Sequence, residues 1–163
     1  MVVQLRFLLM EQILSIEYRP FNSGRCSHKM NGPGLHYEVA IACKTGYIVH
    51  YNGPFICGSW PDLRIARLKL HKMLPIGEYY LCDDGYRCKY SPGITKRDIP
   101  ATELDLMTSL MARHESINRR LKQWGILEQR HRNIEYSHKY VFGAIAVITQ
   151  LEIVFGFHDW DCR

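Results

Sequence analysis

Tyr79-Tyr80-Leu81-Cys82-Asp83-Asp84-Gly85-Tyr86 is the stretch on which the fold turns. A short apolar run stops on two carboxylates, and a glycine follows. A strand of an α/β sheet ends this way, and ligands gather at the carboxyl ends of such strands. Paired acids at a strand tip are costly without a cation. At about 4 Å and an effective dielectric near 20, like charges repel by roughly 4 kcal/mol. A divalent metal or a basic partner removes that cost. The same residues also read as a plain turn, since Asp bonds its own backbone ahead of a glycine. On these eight residues alone the turn reading leads.

Working outward, Pro61-Asp62 opens a helix with Asp62 as its N-cap. Leu63, Ala66, Leu70 and Met73 follow at helical spacing until Leu74-Pro75. Residues 87–101 read as a loop. The longest helix is expected to begin at Thr102, with Asp105 as a weak capping-box partner. Its apolar stripe is Met107, Leu110, His114, Ile117, Leu121 and Trp124, and Gly125 ends it. A final helix over 138–152 would turn Val141, Ala144, Ile145, Ile148 and Leu151 inward.

Upstream, Leu35 to Tyr51 alternates as a hairpin closed by Lys44-Thr45-Gly46. Residues 15–21 alternate like a strand that stops at Pro20, and residues 1–14 suit a strand or a short helix. An antiparallel start feeding a crossover helix and a further strand gives an α/β mixed sheet with helices packed on it.

The chain of 163 residues suits one domain with a real core. Its net charge of +5 permits a nucleic-acid partner without requiring one. The six cysteines contain no Cys-x-x-Cys pair and read as mostly reduced, which suits a cytosolic or nuclear setting. Cys82 and Cys88 flank a loop, but no second pair completes a zinc set. No secretory signal is legible, and the longest apolar run, Val141 to Ile148, is too short to span a bilayer; no membrane partner is expected.

Glu115 lies one position after His114, at the edge of the long helix's apolar stripe. Arg113, Arg119, Arg120 and Lys122 flank it, with Arg130 and Arg132 beyond. One reading is a solvated basic face with a Glu115–Arg119 pair at i, i+4. The other is that Glu115 reaches across to Asp83 while the basic side chains hold phosphates. His28 and Lys29 fit a DNA contact or a surface turn equally well.

Several segments resemble the catalytic domain of DDE superfamily endonucleases, the Harbinger-like transposases of eukaryotes. They are residues 27–39 (Ser-His-Lys-Met-Asn-Gly-Pro-Gly-Leu-His-Tyr-Glu-Val), Asn52-Gly53-Pro54-Phe55 with Gly58-Ser59-Trp60-Pro61-Asp62, and Asp83-Asp84-Gly85-Tyr86. Residues 112–122 (Ala-Arg-His-Glu-Ser-Ile-Asn-Arg-Arg-Leu-Lys) and Val147 to Glu152 complete the set. Together they cover roughly residues 15–157 in the family's order, leaving 158–163 as a tail. The resemblance implies an RNase H-like fold and a three-carboxylate site for divalent Mg²⁺ or Mn²⁺. Asp83 matches the family's second acid and Glu115 its third, as catalytic and metal-binding residues. Lys29, Arg113, Arg119, Arg120 and Lys122 become candidates for DNA binding. It also implies a nuclear protein whose partners are DNA and a separate DNA-binding subunit or a second copy.

The family's first acid, from an Asp-Gly-Thr-Asp-like motif, belongs shortly before Ile16. Leu9-Met10-Glu11-Gln12-Ile13-Leu14 stands there, and neither Glu11 nor Glu17 matches the family position. Residues 1–14 therefore match poorly, and the N-terminal strand region is expected to be incomplete or altered. Codons for Met-Glu-Gln-Ile-Leu, read one base earlier, can spell Asp-Gly-Thr-Asp-Phe, which points to an out-of-frame start. Three functions follow: a DDE endonuclease impaired by the missing acid, an inactive DNA- or protein-binding descendant, and an unrelated small hydrolase using Asp83 and Glu115. The frame reading predicts that the codons of residues 10–14 encode the acid motif in the shifted frame, which sequencing the locus checks directly.

Overall fold

The computed structural model describes residues 4–17, 22–27, 29, 31–132 and 135–156. His28, the tail and Cys162 lie outside that set, as do residues 18–21. The chain order is β1 (Gln4–Ser15), β2 (Cys26–Ser27), β3 (Gly32–Ala42), β4 (Ile48–Ile56), α1 (Asp62–Leu68), α2 (Leu70–Met73), β5 (Glu78–Leu81), β6 (Gly93–Ile94), α3 (Leu104–Lys122), α4 (Gly125–Glu128) and α5 (Glu135–Val154).

The sheet is mixed. β3 pairs antiparallel with β1 and with β4, forming the expected hairpin, and β2 adds two residues to the start of β3. β5 runs parallel to β1, and β6 parallel to β5. The N-terminal stretch is thus a full strand of twelve residues between β3 and β5, in the middle of the sheet. Of the strand expected over 15–21, residues 18–21 lie outside the described residues. β1 stops at Ser15, and Ile16 makes only an isolated bridge to His131.

Both faces of the sheet are covered. Leu8 and Leu14 of β1 share a core with Leu35, Tyr37, Val39 and Ile41 of β3, under Met107, Ile117, Leu121 of α3 and Phe142, Ile145 of α5. On the opposite face Leu9, Ala40 and Tyr80 pack with Ala66 and Leu70 of the α1–α2 pair and with Tyr86. Period-two alternation sorts the residues of β1 between these layers. Leu9, Glu11 and Ile13 therefore share the α1 face, and opposite them in the ladder stand Ala40, Glu38 and His36.

The α3 stripe is as expected: Met107, His114, Ile117 and Leu121 are buried. The ends differ. α3 begins at Leu104 behind a turn of 3-10 helix, with no side-chain cap, and Gly125 opens α4 instead of closing α3. α5 also runs one residue longer than α3. Its inward face is shifted from the expected one. His138, Phe142, Ile145, Ala146, Thr149 and Ile153 are buried, whereas Ala144, Ile148 and Leu151 are exposed. The segment is apolar on nearly every side, so hydropathy does not encode its rotation. Tyr37 does: its ring stacks on Phe142 at 3.9 Å between centroids, and its hydroxyl lies 2.9 Å from Nδ1 of His138. Phe142→Ala should cost about 3–5 kcal/mol of unfolding free energy, against less than ~1 kcal/mol at exposed Leu151, read from urea denaturation.

Candidate active site

The parallel ladder of β1 and β5 ends at Leu8 and Leu81. Beyond it β5 gives way to β6, with Cys82 N–H donating to the Ile94 carbonyl at 3.0 Å. Residues 10–13 of β1 are left beside a cleft of about 350 Å³. Met10, Glu11 and Ile13 form one wall, Asp83 and Lys29 the mouth, and Met111, Glu115, Asn118 and Lys122 of α3 the other wall. Asp83 and Glu115, distant in sequence, therefore line one space. Glu11 joins them.

Asp83 keeps the turn role as well. Its Oδ1 accepts from Gly85 N–H at 3.0 Å and caps the 3-10 turn Asp84–Tyr86. Asp84 points elsewhere, to Arg97 at 2.8 Å. Gly85 is required by close approach: a methyl group added there would collide with Oδ2 of Asp62. Tyr86 lies fully buried beneath the acids, its hydroxyl without a hydrogen-bond partner. Glu11, Asp62 and Asp83, together with Glu38, hold its ionisation well above the ordinary value, after burial itself.

Asp62 was expected to cap α1. It does not: Pro61 occupies the N-cap position, no side chain caps the helix, and Asp62 is its first residue. Its carboxylate turns to the sheet, where Oδ1 lies 3.6 Å from Nε2 of His36. Oε2 of Glu11 lies 3.6 Å from the same nitrogen. Donor atoms of Glu11, His36 and Asp62 all fall within 4.8 Å of one another, so the three residues could hold a metal ion. Burial, then a hydrogen bond to Glu11 and the charges of Glu11 and Asp83, push Asp62 up to about 8. Burial would also raise Glu11, but Asp62, Lys29 and His36 outweigh it and hold Glu11 below the usual value. The pair thus shares one proton, carried on Asp62. His36 is depressed by burial and is neutral at pH 7. Lys29 pairs with Oε1 of Glu11, and that contact overcomes burial to raise its pKa.

The basic candidates divide. Lys29 and Lys122 line the cleft. Arg113 does not: its Nη1 donates to the Cys43 carbonyl at 2.7 Å and ties α3 to the β3–β4 turn. Arg119 is exposed and donates to Ser116 Oγ at 3.2 Å instead of pairing with Glu115. Arg120 is half-buried against α3's surroundings. His114 is a core histidine, its Nε2 3.3 Å from the Val39 carbonyl. The cysteines of the described residues are free, and no helix among those residues is long and apolar enough to cross a membrane.

Sequence reading missed Glu11, His36 and Asp62 as one group. The available signal was a carboxylate and an imidazole at inward positions of two central strands, where apolar residues belong. No protein-family model, curated protein or solved structure matches the chain.

A carboxyl group whose folded-state pKa is raised retains a proton that the unfolded chain releases, so its contribution to stability falls as pH rises. For Asp62 that window runs from 3.8 to about 8. Asp62→Asn should therefore gain thermal stability relative to the parent as pH is raised through that range, with the difference levelling above it. Paired melting curves at pH 4, 6 and 9 measure this, and an unchanging difference would remove the proton from Asp62.

Proposed function

We propose that this chain is a DDE-type nuclease domain of the Harbinger-like transposase kind, which cuts DNA phosphodiester bonds with divalent metal ions. The observation that carries the reading is that Glu11, Asp83 and Glu115 line one cleft with two lysines at its walls. Glu11 lies on the strand expected to carry the family's first aspartate and, although it does not match the family position, brings a third carboxylate to the cleft. The strand order supports an RNase H-like arrangement: an antiparallel meander of β1, β3 and β4, a crossover through α1, then β5 parallel to β1.

Paired Mg²⁺ or Mn²⁺ bound there would supply an activated oxygen nucleophile and stabilise the leaving oxygen. Hard carboxylate oxygens of Glu11, Asp83 and Glu115 suit those ions. Lys122 places a positive charge on the α3 wall to orient a phosphate. Lys29 does the same at the mouth once its pairing with Glu11 is released. Asn118, buried with its Oδ1 unpartnered, adds a polar group to the same wall. Apolar Met10, Ile13 and Met111 complete the lining.

The Lys29–Glu11 pair also favours a second reading, an inactive DNA-binding descendant in which the lysine takes the place of a cation. The two separate experimentally. A nuclease nicks supercoiled plasmid in Mg²⁺ or Mn²⁺, and Asp83→Asn, Glu115→Gln or Glu11→Gln each lowers the rate at least ~100-fold while DNA binding persists; loss of a mere orienting partner costs 10–100-fold. Salt-sensitive binding without nicking would establish the descendant instead.

A further inference from the structure

We propose that Glu11, His36 and Asp62 form a mixed nitrogen–oxygen metal site that takes a transition ion, such as Mn²⁺, Co²⁺ or Zn²⁺, in preference to Mg²⁺. The inference rests on the reading that this end of the sheet holds cations, and it specifies which cation its buried half selects.

Three observations converge on His36. First, the ring is 2 % exposed, yet its Nε2 has no hydrogen-bond partner. Second, that nitrogen faces one oxygen of Glu11 and one of Asp62, each at 3.6 Å, beyond hydrogen-bonding reach. Third, the ring is held by the backbone carbonyl of Trp60. A histidine that ligates a metal characteristically donates its other ring N–H to such a carbonyl, which fixes the tautomer and turns a lone pair to the ion. The proton on Asp62 is shared with Glu11, so the imidazole lone pair has no donor within hydrogen-bonding reach. A cation between the ring and the two carboxylates satisfies all three.

The elements are rigid where it matters. Glu11 and His36 come from the adjacent central strands β1 and β3, and Asp62 opens α1 above them. Gly85 leaves room for Asp62 to lie against the Asp83 turn. Imidazole is a borderline ligand that favours later first-row ions, whereas Mg²⁺ prefers oxygen and keeps its water. Cys57 offers no donor to the group that Glu11, His36 and Asp62 form within 4.8 Å of one another.

The test is equilibrium binding on the untagged full chain without nucleic acid. Co²⁺ and Mg²⁺ are titrated by calorimetry, and the Mn²⁺-loaded protein is examined for electron-spin-echo modulation from ¹⁴N. The site predicts Co²⁺ binding at least ~10-fold tighter than Mg²⁺, at one equivalent, with nitrogen modulation present. His36→Gln should lose at least ~10-fold in Co²⁺ affinity and the nitrogen signal, with Mg²⁺ affinity unchanged; His50→Gln should change neither. Absent nitrogen modulation in the parent protein overturns the proposal even if His36→Gln folds poorly, and so does equal affinity for Co²⁺ and Mg²⁺. Plasmid nicking that fails while Co²⁺ still binds through His36 defeats the nuclease reading alone. Nicking that proceeds in a protein without the nitrogen signal defeats this proposal alone.

Discussion

The parting of β1 from β5 is the constraint on which the site depends. Parallel pairing holds the two strands together as far as Leu8 and Leu81. It then stops: Cys82 N–H donates to the Ile94 carbonyl of β6, and Asp83 begins a turn. A central strand is thereby given an open flank for residues 10–13. Backbone groups and inward side chains that would ordinarily be sealed in a core face a cleft instead. α3 closes the far side of that cleft and brings Glu115 to it, while Asp62, the first residue of α1, meets Glu11 and His36.

Such a concentration of acceptors needs compensation, and the structure supplies it locally. One proton resides on Asp62, and one ammonium, from Lys29, rests on Glu11. Glu38, directly across the ladder from Glu11, is fully buried, and burial raises its pKa against the opposing pull of His50. The cluster is therefore less negative than its composition suggests. In the proposed metal site an ion would replace these compensations, since metal binding releases protons from its ligands. A purely structural polar cluster would more ordinarily be closed by hydrogen bonds, and Nε2 of His36, both carboxylate oxygens of Glu38 and the Tyr86 hydroxyl lack them.

The legible parts of the fold were those with one strong periodicity. The β3–β4 hairpin alternates, and α3 carries a single clean stripe that places Glu115 beside its buried edge. The tip at Asp83 was legible because an apolar run, an acid and a glycine coincide. α5 was not, because a helix apolar all round leaves its rotation to tertiary partners, here Tyr37. β1 was ambiguous for a similar reason: a strand buried on both faces loses its alternation, and Leu8, Leu9 and Leu14 read as a run. That ambiguity hid Glu11. Asp62 was hidden by a sufficient local explanation, the helix cap, which its side chain turned out not to serve.

The two oxygens of Glu11 show how the cleft and the buried triad are related. Oε1 meets Lys29, which lines the cleft, and Oε2 faces His36 and Asp62 behind it. A cation in the cleft would compete with Lys29 for the first oxygen directly, whereas a cation in the triad would use the second. Occupation of the triad would withdraw negative charge from Glu11 and loosen its hold on Lys29. The released ammonium, 61 % exposed at the mouth, is then available to a phosphate. One carboxylate on an open-flanked strand would thus couple the buried acceptors to the surface that the proposed function assigns to substrate.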